Sequence, residues 1–133
     1  MDSFSIQTQR RNEFVDITAH VKESQRRRGI RDGIGIVYCP HTTAGITINE
    51  NADPDVQHDL LEKFSRLVPK HEDFYDHGEG NSDSHVKTAC VGSSVTVLIE
   101  NGRLMLGRWQ GIYLCEFDGP REREVWVKVV GFE

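Results

Sequence analysis

No stretch of this 133-residue sequence offers the roughly 20 consecutive apolar residues that a membrane-spanning helix needs, so no membrane partner is expected. The opening Met1-Asp2-Ser3-Phe4 lacks the basic and apolar parts of a secretory leader, and a cytoplasmic location is expected. Cysteine is scarce. Cys39, Cys90 and Cys115 form no CxxC pair, and an odd count in a small domain does not read as a disulfide framework, so the thiols are expected to be reduced. A surplus of positive charge is missing too. The formal net charge is −5, and the only dense basic run is Arg26-Arg27-Arg28 with Arg31 behind it, which argues against general nucleic-acid binding. Internal repeats and low-complexity tracts are absent, and the length is near the commonest domain size, so residues 1–133 read as one domain.

What is present is a succession of strand-like and helix-like segments. Ser3 to Gln9 alternates polar and apolar residues at period two, and Glu13 to Thr18 begins the same way. Asp16 or Thr18 then caps a short helix over Ala19 to Arg28, ending at Gly29 with the arginine run over its last carbonyls. Gly33 to Cys39 and Gly45 to Asn49 are β-rich, lie either side of a break at Pro40, and could pair with each other. Asp53-Pro54 supplies an N-cap followed by proline at the first helical position. Val56, Leu60, Leu61, Phe64, Leu67 and Val68 then recur at three- and four-residue steps, marking an amphipathic helix that closes before Pro69.

Residues Lys70 to Ser84 have no period and are long for a simple connection, which is typical of functional or disordered loops. A short helix starting near Ser82 or Asp83 carries His85 to Cys90. The last third reads as strands over Ser94 to Glu100, Leu104 to Leu106, Gly111 to Phe117 and Glu124 to Val130, with a hairpin turn at Asn101-Gly102. The expected fold class is α+β: a mixed or mainly antiparallel sheet with two or three helices packed on one side.

Of six histidines, His20, His58 and His71 fall on helices or helix ends and read as solvated. His41 follows Pro40, which fixes the backbone as it leaves a strand. His77 and His85 flank a segment containing Gly78 and Gly80, so that loop can fold back and aim both rings at one point. Three converging neutral imidazoles suit Zn²⁺ or a related ion with an open position. The spacing matches no HExxH or CxxC motif, and solvated or hydrogen-bonded core histidines stand as the alternative.

Other polar groups carry two readings each. Asn49 and Glu50 crowd the end of an apolar strand and can bind a metal-bound water or a substrate hydroxyl, whereas Asp53 is better read as a helix cap. Arg121 and Arg123 place two guanidinium groups close together, a match for phosphate oxygens or else part of a surface turn. Trp109 reads as core, with a pocket wall as the alternative, and Cys39 as a small buried thiol.

Taken in order, Cys39-Pro40-His41-Thr42-Thr43-Ala44-Gly45, Asn49-Glu50, Asp53, the His77 to His85 segment, Asn101-Gly102-Arg103-Leu104, Gly107-Arg108-Trp109-Gln110-Gly111 and Glu116-Phe117-Asp118-Gly119-Pro120-Arg121 resemble the YjbQ-like family. The likeness covers nearly the whole chain. It departs at Ser84, where the family motif usually has alanine, and at Arg108, in place of threonine; neither is a proposed ligand. The resemblance implies a small α+β domain assembled as a homotrimer. It also implies a metal-lined pocket around His41, His77 and His85, holding Zn²⁺ first, with Mg²⁺ or Mn²⁺ as alternatives.

The activity implied is that of secondary thiamine-phosphate synthase, which joins a hydroxymethylpyrimidine diphosphate to a thiazole phosphate and releases pyrophosphate. On that reading Arg121, with Arg123, neutralises a phosphoryl group, and Glu50 or Asp83 orients a water or the second substrate. Thr42, Thr43, Asn49 and Asn81 are further contacts to the phosphorylated small molecule, and Trp109 stacks on its ring. Two other readings use the same groups: a metal- or anion-binding protein without turnover, and a metal-assisted hydrolase of a phosphorylated metabolite. Hydrolysis and transfer draw on the same cation, base and anion clamp.

Overall fold

Strands and helices follow the chain in the order that its patterns predict, but the strands are divided between two sheets. The computed structural model describes residues 1–132. It contains β1 (Asp2–Gln7), β2 (Glu13–Asp16), α1 (Thr18–Arg28), β3 (Gly33–Tyr38), β4 (Ala44–Glu50), α2 (Pro54–Leu67), α3 (Ser82–Val91), β5 (Ser94–Glu100), β6 (Arg103–Leu104), β7 (Gln110–Glu116) and β8 (Glu122–Gly131). The larger sheet has the order β1-β8-β3-β5-β6 and the smaller β2-β7-β4. Every pairing is antiparallel, so the α+β class with antiparallel sheets holds.

The suggested pairing of the strands on either side of Pro40 does not occur. β3 lies between β8 and β5, while β4 pairs with β7 in the other sheet. Pro40 has no N–H to continue a ladder, and the link after it carries the chain from one sheet to the other. The last N–H before the break, that of Cys39, is taken by the Ser93 carbonyl at 2.8 Å. The main apolar cluster draws on both sheets, with Val37, Val97, Val125 and Val127 from the larger and Ala44, Ile46, Ile112 and Leu114 from the smaller. Val21 of α1 joins it. Each such side chain contributes about 1.5–3 kcal/mol by leaving water.

Helix ends follow from local chemistry. The Asp16 carboxylate accepts the Thr18 N–H at 2.9 Å, and Gly29 closes α1 in the left-handed region at φ +65°. Asp53 Oδ1 accepts the Asp55 N–H at 2.9 Å, confirming its capping role on α2. α3 packs on β4 because Gly45 has no side chain: a Cβ there would stand 2.5 Å from the Gly92 carbonyl oxygen. α2 is attached more thinly. It touches the body through Phe64 on Phe117, with ring centroids 5.6 Å apart, and through Gln57 Nε2 donating to the Tyr113 hydroxyl at 2.6 Å. None of its residues is fully buried, and Leu67 is 66% exposed. Among the described residues no helix is long and apolar enough to cross a membrane.

Candidate functional site

The first turns of α3 bring the histidine loop into register with the helix. The Gly80 N–H donates to the His77 carbonyl at 3.2 Å, and Gly80 takes φ +71°, so the chain doubles back as the glycine spacing predicts. The His77 and His85 rings then stand edge to face, with centroids 5.3 Å apart. With Ser82 and Val86 they line an open depression of about 380 Å³. Asn81, just before the helix, donates Nδ2–H to Asp118 Oδ2 at 2.7 Å, while its buried Oδ1 meets no donor. Asp118 in turn accepts Arg121 Nη2–H at 3.0 Å on Oδ2 and Nε–H at 2.9 Å on its carbonyl. Asn81, Asp118 and Arg121 therefore form one hydrogen-bonded chain beside the start of α3, although Arg121 and Asn81 do not line the depression.

Two predicted site residues are committed elsewhere. The Asp83 carboxylate is fully buried and accepts Arg11 Nη1 and Nη2 at 3.1 and 3.0 Å and Lys87 Nζ at 2.9 Å. Burial alone would raise its pKa, but the hydrogen bonds from Arg11 and Lys87 outweigh it and hold the carboxyl below its ordinary range. A carboxylate so stabilised is a poor proton acceptor and acts as an anchor for α3. Arg123 is likewise buried. It gives Nε–H to Glu116 Oε1 at 2.8 Å and Nη2–H to Thr43 Oγ1 at 2.8 Å, as well as pairing with Glu116 Oε2. Its expected phosphate role, and the substrate role of Thr43, give way to joining β8, β7 and the link before β4.

His41 sits apart from the other two histidines in its bonding. Its Nε2 accepts the Glu124 backbone N–H of β8 at 2.9 Å. Burial, and then the nearby Arg123, push its pKa down, so the neutral ring is favoured. Asn49 Oδ1 accepts the Glu50 N–H at 2.7 Å, and Glu50 Oε2 accepts the Ala52 N–H at 3.0 Å, so both side chains shape the loop before α2. Thr42 is exposed. Trp109 is 53% exposed with Arg108 Cζ 4.7 Å from its ring centroid, so it is neither core nor wall of the histidine depression. Cys39 is buried and its thiol is raised to about 11 by desolvation, an inert thiol as its neighbours imply.

Among the described residues no group of three His, Cys, Asp or Glu side chains is arranged to hold a metal. His77 and His85 stand together beside open space, while His41 Nε2 is engaged by the β8 backbone. Sequence reasoning also missed Asp118 as the link between Asn81 and Arg121. Its signal was the three-residue step to Arg121 across a Gly-Pro turn.

The family model described as "UPF0047 protein YjbQ-like" matches residues 2–132. The UPF0047 protein YugU of Bacillus subtilis is 50% identical over 131 residues, covering 98% of this chain and 99% of that protein. A UPF0047 protein of Methanocaldococcus jannaschii is 52% identical, with 96% and 92% covered. Among solved structures, the YjbQ/UPF0047 family protein of Clostridium acetobutylicum superposes with a TM-score of 0.96 at 52% identity, over 98% of this chain and 100% of that one. A conserved hypothetical protein of Thermus thermophilus gives a TM-score of 0.91 at 42% identity, over 98% of this chain and 100% of that one.

Proposed function

The chain belongs to the YjbQ-like UPF0047 family, and from that premise we propose that it is a metal-dependent enzyme acting on phosphorylated small molecules. Its reaction resembles that of secondary thiamine-phosphate synthase, joining a hydroxymethylpyrimidine diphosphate to a thiazole phosphate with release of pyrophosphate. The observation that carries this reading is the His77–His85 pair, two imidazoles edge to face over an open depression at the start of a helix. Two donors make half of a metal site, and a further donor comes from an adjoining copy in a homotrimer. The half-covered apolar stripe of α2, with Leu67 out in solvent, supports such an assembly.

A bound Zn²⁺ ion, or Mg²⁺ or Mn²⁺ in its place, would supply Lewis acidity toward a phosphoryl oxygen. The chain's own residues bind and orient. Arg121, half-exposed and steadied by Asp118, holds the phosphoryl anion. Asn81, through its Nδ2–H bond to Asp118, helps to fix that arrangement at the start of α3. Asp83 and Arg123 act as positioning residues through the partners described above.

Elemental analysis of tag-free protein tests this directly. About one metal equivalent per chain is expected in the wild type and little in His77→Ala and His85→Ala, with turnover of the two phosphorylated substrates lost in the same variants. Turnover and metal content that survive both substitutions would sink the assignment. Tight substrate binding at stoichiometric protein without product would instead favour the metal- and anion-binding reading.

A further inference from the structure

Away from the histidines, α1 and the β5–β6 turn enclose a second hollow of about 810 Å³, within the range of small-molecule sites. Its wall is cationic on a chain whose net charge is −5. Lys22 and Arg26 reach it from α1, Arg31 from the link that follows, and Arg103 from β6. Arg26 is neutralised by Glu23 one turn earlier. Among the described residues Lys22, Arg31 and Arg103 enter no ion pair, although Glu100 lies opposite Arg103 in the hairpin register and Glu23 is the one acidic residue of the lining.

The turn is built around one of these guanidinium groups. A Cβ added at Gly102 would stand 2.9 Å from Arg31 Nη1 and 3.3 Å from its Cζ, so this glycine, at φ +76°, leaves room for Arg31 to lie against the backbone. The Gly102 N–H donates to the Arg31 carbonyl at 3.0 Å, fixing the same approach. Ile30 and Leu104, both half-buried, add apolar surface to the wall. Basic residues over the last carbonyls of a helix are ordinary, and that accounts for Arg26 to Arg28. It does not account for Lys22 in mid-helix, or for Arg31 and Arg103, which lie beyond the helix.

We propose that this hollow binds an organic diphosphate, with Lys22, Arg31 and Arg103 on the phosphoryl oxygens and Ile30 and Leu104 against the organic body. Unpaired cations facing one cavity repel one another, and a multiply charged anion relieves that repulsion. A single orthophosphate would leave most of the volume and charge unmet. The site owes nothing to the histidine pair, so either assignment stands or falls without the other.

Isothermal titration calorimetry on the full chain, with ADP and with inorganic pyrophosphate as probes, tests the proposal. Saturable binding of both is expected, tighter for ADP and weakening as salt is raised. The Arg31→Gln/Arg103→Gln variant should bind about tenfold or more weakly, with Lys22→Gln less affected. Circular dichroism checks that each variant is folded. The proposal is overturned by absence of binding or by undiminished affinity in the double arginine variant. Binding of single-stranded nucleic acid without binding of ADP would overturn it as well.

Discussion

Asp83 shows how a residue's chemistry is decided by its neighbours rather than by its type. Its carboxylate is held charged by Arg11 and Lys87 against the cost of burial, so its pKa in the folded chain lies below that in the unfolded chain. A depressed carboxyl adds stability that is fully present above the unfolded pKa, near 4, and is lost as pH falls through the lower folded value. Urea midpoints measured against pH should therefore drop for the wild type below about pH 4. Asp83→Asn should be destabilised at neutral pH by about 3 kcal/mol, since Lys87 is left buried without its counter-charge, and should show less of that acid loss. A gap between the two proteins that stays constant down to low pH would refute the pairing as the cause. From sequence, Asp83 stood near the start of a short helix and was expected to orient a water or the second substrate. Its partners are Arg11, 72 residues away, and Lys87 one turn further along the helix, and only the former was beyond local reading.

At the scale of elements, the Glu116–Arg123 pair is the clearest case of charge used inside. It links β7 to β8, and so the smaller sheet to the larger, with Thr43 and Thr8 satisfying remaining oxygens and nitrogens. Arg123→Ala would leave Glu116 buried and uncompensated, a loss of about 3–5 kcal/mol that chemical denaturation would read as a lowered midpoint. Replacing both by apolar residues of similar volume should recover most of it. Helices and strands were legible because their signals are local: the cap at Asp53, the stop at Gly29, the period of the α2 stripe. The division into two sheets was not, because β3 finds β5 and β8 far along the chain while β4, next in sequence, finds β7. The site divides the same way. The approach of His77 to His85 follows from two glycines in a short loop, whereas His41's bond to the Glu124 backbone depends on strand placement that no spacing encodes.

For the molecule as a whole, the unfinished surface is the face of α2. Its stripe of Val56, Leu60, Leu61 and Phe64 is only half-buried and Leu67 stands in solvent. In the proposed homotrimer this stripe is covered, so Leu61→Gln/Leu67→Gln should shift light-scattering mass toward the single chain with helix content retained. A full-size assembly in that variant would place the contact elsewhere. The attachment of α2, which includes the Phe64–Phe117 ring contact and the Gln57–Tyr113 hydrogen bond but fully buries none of its residues, has a kinetic corollary. Its amides should trade hydrogen for deuterium through local opening well before those of β7 beneath it, at a rate that slows as protein concentration rises. The helix is in effect a clock for encounter, recording in its own exchange how long each chain has spent beside another.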